Sequence, residues 1–189
     1  MSKNRISLLR KPIRSLRTLR GKPYRFYTQL LAHLPSLLFG ILFATLVACD
    51  PARVYETNTD FDNAMWLAGD TAKFEFAIED TAATYNVILN VRNSLDFETA
   101  RLFVNYSLRD STTTPLRKRL IEQNLFDIRT GAPFGESGLG DIYEHRILIE
   151  PKIKFPTKGK YNVKISQMMR TDTLREVLSV GIRVERSGL

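Results

Sequence analysis

Five segments of this chain alternate apolar and polar residues with a period of two, and no other feature restricts its fold as strongly. In "KFEFAIE" (73–79), Phe74, Phe76 and Ile78 alternate with Lys73, Glu75 and Glu79. The pattern returns at Tyr85, Val87, Leu89 and Val91, at Leu102, Val104, Tyr106 and Leu108, at Tyr161, Val163 and Ile165, and at Leu178, Val180, Ile182 and Val184. Successive side chains of a strand point to opposite faces, so each segment reads as a strand with one buried face. Less regular strands fit "LRKRLI" (116–121) and "IYEHRILIE" (142–150), although "PLRKRLIEQNLFDI" also reads as an amphipathic helix with Leu116, Leu120, Ile121 and Leu125 on one face. Its neighbours favour strand. Turn chemistry separates the segments at "NSLDFETA", "RDSTTTP", "RTGAPFGESGLGD" and "PTKGK". Seven or eight short strands with no βαβ rhythm predict an all-β fold, an antiparallel β-sandwich of immunoglobulin-like or jelly-roll-like kind.

The N-terminal quarter is of a different nature. The chain has 189 residues and a formal charge of +8, yet nine basic residues and no acidic ones precede Cys49, leaving 19 basic against 20 acidic residues after it. A basic surface for nucleic acid is therefore not expected on the remainder. Residues 1–25 are cationic, "LLFGILFATLVA" (37–48) is nearly all apolar, and Cys49 follows, an order that reads as a helical secretory signal. The cationic stretch is longer than usual, which would fit a translation start beyond Met1, although no second Met precedes Cys49.

Leu46, Val47, Ala48 and Cys49 match a bacterial lipobox, in which the thiol is acylated and the chain is cut before the cysteine. Competing readings are a core cysteine closing an ordinary helix and an uncleaved signal anchor. The expected organisation is a lipoprotein signal peptide over 1–48, a polar tether over 49–65 or, in its "DPARVYETNTD" part, a first edge strand, and the sandwich over 66–189. Lipidation is assigned to Cys49, several acyl chains making a durable membrane anchor.

Candidate chemistry is sparse. One Cys allows no internal disulfide, and His33 and His145 are too few for a Cys/His zinc site. "GESGLGD" (135–141) has no Lys-Ser/Thr and leads into a strand, so it reads as a glycine-shaped turn, not a phosphate loop. His145, alternating with Tyr143, Ile147 and Ile149, reads as structural; Glu79 with Asp80, and Asp172 with Glu176, read as solvated charge instead of acid/base pairs. No catalytic, cofactor or metal residue is assigned. In "QMMR" (167–170) parity turns Met169 inward and Met168 and Arg170 outward, making these two the candidate interaction residues. Trp66 is expected as a core plug.

Lipobox Cys49 with Asp50, Trp66 with Asp70, "YNVILNVRN" (85–93), "GLGDIYE" (138–144), "GKYNVKISQMMR" (159–170) and "VGIRVE" (180–185) together resemble the gliding-motility lipoprotein GldH family of the Bacteroidetes. The resemblance spans 49–189, with Arg101-Leu102 standing where family members tend to have Asn-Leu and Phe134 where a Trp is expected. It implies a non-enzymatic envelope lipoprotein needed for gliding and linked to type IX secretion, and it carries over no catalytic residue. Expected partners are a membrane, reached through the acyl groups, and other gliding or secretion proteins, with the domain at the outer membrane facing the periplasm. The alternative is a surface carbohydrate-binding lipoprotein, which would require Trp66, Tyr106 or Tyr143 in one solvent-facing row.

Overall fold

The computed structural model describes residues 50–112 and 115–188; residues 1–48, expected as the signal segment, and Cys49 lie outside them. Eleven strands follow in order: β1 (Arg53–Asp60), β2 (Met65–Leu67), β3 (Thr71–Ile78), β4 (Tyr85–Ser94), β5 (Arg101–Asp110), β6 (Pro115–Asn124), β7 (Glu136–Ser137), β8 (Ile142–Ile153), β9 (Gly159–Gln167), β10 (Thr173–Arg175) and β11 (Val177–Arg186). One sheet has the order β1-β11-β4-β8-β7, the other β3-β9-β5-β6, and β2 pairs with β10 in a separate ribbon. Every pairing is antiparallel. The two sheets pack as a sandwich, and residues 116–121, expected as a strand in preference to an amphipathic helix, belong to edge strand β6.

The alternating segments supply the core. Phe74, Phe76 and Ile78 of β3, Val87, Leu89 and Val91 of β4, Leu102, Val104 and Leu108 of β5, Val163 and Ile165 of β9, and Val180, Ile182 and Val184 of β11 are all buried. Each such side chain contributes about 1.5–3 kcal/mol, far more than an exposed ion pair, so the inner faces determine the register. A register shift between Val177 and Ser179 buries Val177 and leaves Leu178 half-exposed, a departure from the regular alternation expected there. Such a bulge turns one residue out of phase with the pleat.

The polar tether expected over 49–65 ends early. From Arg53 onward the chain is β1, pairing with β11 from Arg53 opposite Glu185 to Asp60 opposite Ser179, the edge-strand reading of this segment. An edge strand needs hydrogen-bonding partners on one side only, and Tyr55, packed 5.7 Å from the Phe76 ring, is the one large side chain β1 lends to the core. β1 can lie close because β11 presents Gly181 beneath it. A Cβ at 181 would collide with Asn58 Oδ1 and stand 2.8 Å from the Thr57 carbonyl oxygen.

Candidate interaction site

The strand registers give the sandwich two poles. At one, Arg53 meets Glu185, Tyr85 meets Ile153 and Ile78 meets Gly159; at the other lie Asp60, Ser94, Thr71 and Gln167. Phe155 seals the first pole, its ring 5.5 Å from Tyr85, 5.8 Å from Phe76 and 4.6 Å from Tyr161. Strands of eight to ten residues at ~3.3 Å each put the poles about 30 Å apart.

Asp50, next in sequence to Cys49, belongs to the first pole and is held there. Its Oδ1 accepts the Ala52 N–H at 3.1 Å, and its Oδ2 pairs with Arg183 of β11. Arg183 also reaches Glu56 at 3.0 Å and Glu185 at 2.9 Å, and Asn90 donates to Glu56 at 3.3 Å. The Arg183 guanidinium holds the Asp50 carboxyl below its ordinary range. Burial pushes the Glu56 carboxyl up, but Arg53, Arg183 and Asn90 together outweigh it and hold the group low. The chain at Asp50 is thus fastened to the sheet by charge-assisted bonds.

At the opposite pole the chain leaves β9 and forms one side of a groove of about 500 Å³ between β5 and β10. Gln167, where β9 ends, occupies an inward position and is buried. Its side chain accepts the Met169 N–H at 2.8 Å and donates to the Thr171 carbonyl at 3.1 Å, while the Met168 N–H donates to the Phe103 carbonyl at 2.8 Å. These bonds set the side chains of 168–170. Met168 is 53% exposed and Arg170 is exposed, as parity predicts, whereas Met169 turns in, with its Sδ accepting the Phe103 N–H at 3.4 Å. Phe103, Met169 and Leu174 form the apolar floor; Met168, Arg170 and Arg175 stand on the rim.

β2 and β10 position the far wall. Trp66 is fully buried, stacked 5.0 Å from Phe61 and 15° from parallel to it, with its Nε1–H donating to the Asp70 carbonyl at 2.7 Å. It is the core plug expected, and the spacing from Trp66 to Asp70 is that of a side chain closing its own turn. Leu174 pairs with Trp66 in register. At the β2 edge of the ribbon, Met65 and Leu67 line a second groove of about 650 Å³ with Asp60, Asp62 and Lys73.

The remaining candidates fall apart from one another. His145 is buried beneath Gly135, where a Cβ would stand 2.9 Å from the imidazole, and burial pushes its pKa down. Its Nε2 has no hydrogen-bond partner. Gly138 donates to the Ile142 carbonyl at 2.8 Å and Gly140 has φ 70°, so 138–141 is the expected glycine turn into β8, while Glu136 and Ser137 before it form the short strand β7. Asp80 is occupied with the N–H groups of Ala82 and Ala83 and with Arg186 at 3.8 Å; Glu176 accepts from Ser94 at 2.7 Å. Among the described residues no group of three His, Cys, Asp or Glu side chains could hold a metal.

Trp66 and Tyr106 are both fully buried and Tyr143 is half-buried, so the solvent-facing aromatic row needed by the carbohydrate reading does not form. Sequence reasoning missed Glu150. Register shifts on either side of its partner Val87 turn it inward, where Arg119 at 3.4 Å and Arg117 at 3.9 Å approach it from β6 across the open side of the sandwich. Burial, with Glu150 adding to it, pushes the nearby Tyr106 phenol above its usual range.

Residues 53–184 match the family described as GldH lipoprotein. A gliding motility lipoprotein GldH homolog from Christiangramia forsetii is 29% identical over 157 residues, spanning 78% of this chain and 90% of the relative. The gliding motility lipoprotein GldH of Flavobacterium johnsoniae is 26% identical over 160 residues, spanning 79% of this chain and 93% of the relative. Among solved structures, the infectious bursal disease virus VP2 subviral particle covers 71% of this chain and 30% of its own, at 11% identity and a TM-score of 0.34, a likeness too slight to bear on function. With a match across nearly all of the sandwich, the chain belongs to the GldH lipoprotein family.

Proposed function

We propose that this chain is a non-enzymatic envelope lipoprotein, acylated at Cys49, that takes part in gliding motility and the associated type IX secretion by holding other proteins of that machinery near a membrane. The relatives are gliding motility lipoproteins, which supports a role in gliding motility. The observation that carries the interaction reading is the arrangement of the two poles: the residue after Cys49 is bonded into one end of the sandwich, and a preformed groove opens at the other. Acyl chains at ~0.8 kcal/mol per buried CH₂ would hold the first pole at the bilayer and leave the groove facing away from it. The outer membrane, with the domain in the periplasm, is the proposed location.

Deletion of the gene in a gliding host tests the role. Spreading and secretion of adhesin-type cargo should both fail and return with the intact gene; normal spreading and secretion in the deletion strain would sink the proposal. Anchoring is tested by intact mass. Wild-type protein should begin at an acylated Cys49 and Cys49→Ala should remain uncut, whereas an unlipidated wild type would refute it.

A further inference from the structure

We infer that the groove between β5 and β10 takes an extended acidic segment of another envelope protein, one large apolar side chain filling the floor and carboxylates pairing with Arg170 and Arg175. The inference rests on the proposed role in protein interaction and names the chemistry of the partner. Three observations support it. The floor of Phe103, Met169 and Leu174 is apolar, and the volume of about 500 Å³ is ample for one aromatic or branched side chain. Methionine on a binding surface adapts to the shape of what it receives, and here Met168 stands half out of the protein at the groove's rim.

Charge is the second observation. The ten ion pairs among the described residues engage neither Arg170 nor Arg175, although most other arginines of the domain have a carboxylate partner. Two exposed guanidiniums flank the groove, against the single carboxylate of Glu98. A guanidinium is suited to binding a carboxylate through two parallel hydrogen bonds, so the rim selects for acidic residues on either side of the apolar anchor.

The third observation is preorganisation. Both side-chain ends of buried Gln167 are spent on the 168–171 backbone, and Phe103 is bonded to Met168 and Met169 through its carbonyl and its N–H. A groove already in its bound shape loses little conformational entropy when a peptide enters.

Methionine methyl resonances test this directly. The processed chain contains Met65, Met168 and Met169; Met168 and Met169 line the groove, and Met65, the cross-strand partner of Arg175, lines the groove at the other edge of the ribbon. The acylated protein in nanodiscs, labelled at methionine methyls, is titrated with the blocked peptide Asp-Glu-Phe-Glu-Asp and with Lys-Lys-Phe-Lys-Lys. The acidic peptide should shift Met168 and Met169 more than Met65, and the basic one should shift none. Arg170→Glu with Arg175→Glu should weaken the response by about tenfold or more, and Arg170→Lys with Arg175→Lys should largely retain it. An unchanged melting temperature and circular dichroism spectrum identify folded variants; Arg170→Gln with Arg175→Gln replaces the double Glu variant if that fails to fold.

Equal response to both peptides, movement of Met65 alone, or no response at millimolar peptide would overturn the inference. So would shifts of Met168 and Met169 produced by protein concentration alone, which would indicate a second copy, or by neutral oligosaccharide. If the deletion strain cannot glide while the double Glu variant glides normally and the peptide does not bind, the inference fails and the role in gliding stands.

Discussion

Replacing Trp66 removes the residue that holds the β2–β10 ribbon to the sandwich, and the structure sets the size of the effect. Trp66→Ala deletes a fully buried indole, a change that costs about 3–5 kcal/mol in a packed core. It also takes the Nε1–H donor away from the Asp70 carbonyl, worth about 1 kcal/mol more. Trp66→Phe keeps a ring against Phe61 and loses the donor and part of the volume, so about 1–2 kcal/mol is expected. At about 2–4 °C per kcal/mol for a domain of this size, the Ala variant should melt about 10–20 °C below wild type and the Phe variant about 3–6 °C below.

Total stability is ordinarily about 5–15 kcal/mol, so Trp66→Ala brings the domain close to unfolding and is best measured in the cold. Because the chain has a single Trp, both variants lose that fluorescence, and urea unfolding should be followed by circular dichroism. A loss under about 1 kcal/mol for Trp66→Ala would refute its role as a plug. Equal losses in the two variants would show that the hydrogen bond, not the packed volume, dominates.

Three further outcomes follow from the same packing. Gly181→Ala should cost about 1–3 kcal/mol, with Asn58→Ala in the same chain recovering only part of it because the Thr57 carbonyl still blocks the new methyl; a double-mutant cycle in urea measures both, and a neutral Gly181→Ala would contradict the close approach of β1. His145 has a folded pKa below its unfolded value near 6.5, so the unfolded state binds its proton first and stability should fall as pH drops below about 6.5. His145→Gln should flatten that part of the stability–pH curve, and an unaltered slope would disprove the assignment. Arg183→Met should release residues 50–53, raising their amide exchange without altering that of β4 and β9; unchanged exchange would mean that Arg183 does not fasten Asp50.

The main strands were legible because each buries a regular face, and hydrophobic alternation reports burial. β1 was ambiguous for the opposite reason: apart from Tyr55 its side chains remain largely outside the core, and its stability comes from backbone pairing with β11, which leaves no mark in hydropathy. β2 and β10, three residues each, are too short to show any period. Half of the groove could be read by extending the parity of β9, which turns Met168 and Arg170 outward. Phe103 joins them only through long-range pairing, which sequence separation conceals, and Leu174 and Arg175, a few residues on, belong to a strand too short to show its facing. Gln167 and Glu150 illustrate two kinds of polar burial. Gln167 keeps the inward parity of its strand and was readable as an anomaly, whereas Glu150 is turned inward by a change of register and was not.

The attachment of β1 has a mechanical consequence. A pull applied at Asp50 and resisted at the groove runs along β1, the strand lying lengthwise between the two poles. Such a load slides β1 against β11, so the ladder from Arg53–Glu185 to Asp60–Ser179 must yield together instead of opening one bond at a time. Arg183 adds a further link at the loaded end, where it grips Asp50 and Glu56 at once. The edge strand whose sequence was hardest to read is therefore oriented as a force-bearing strap, loaded in shear and not peeled.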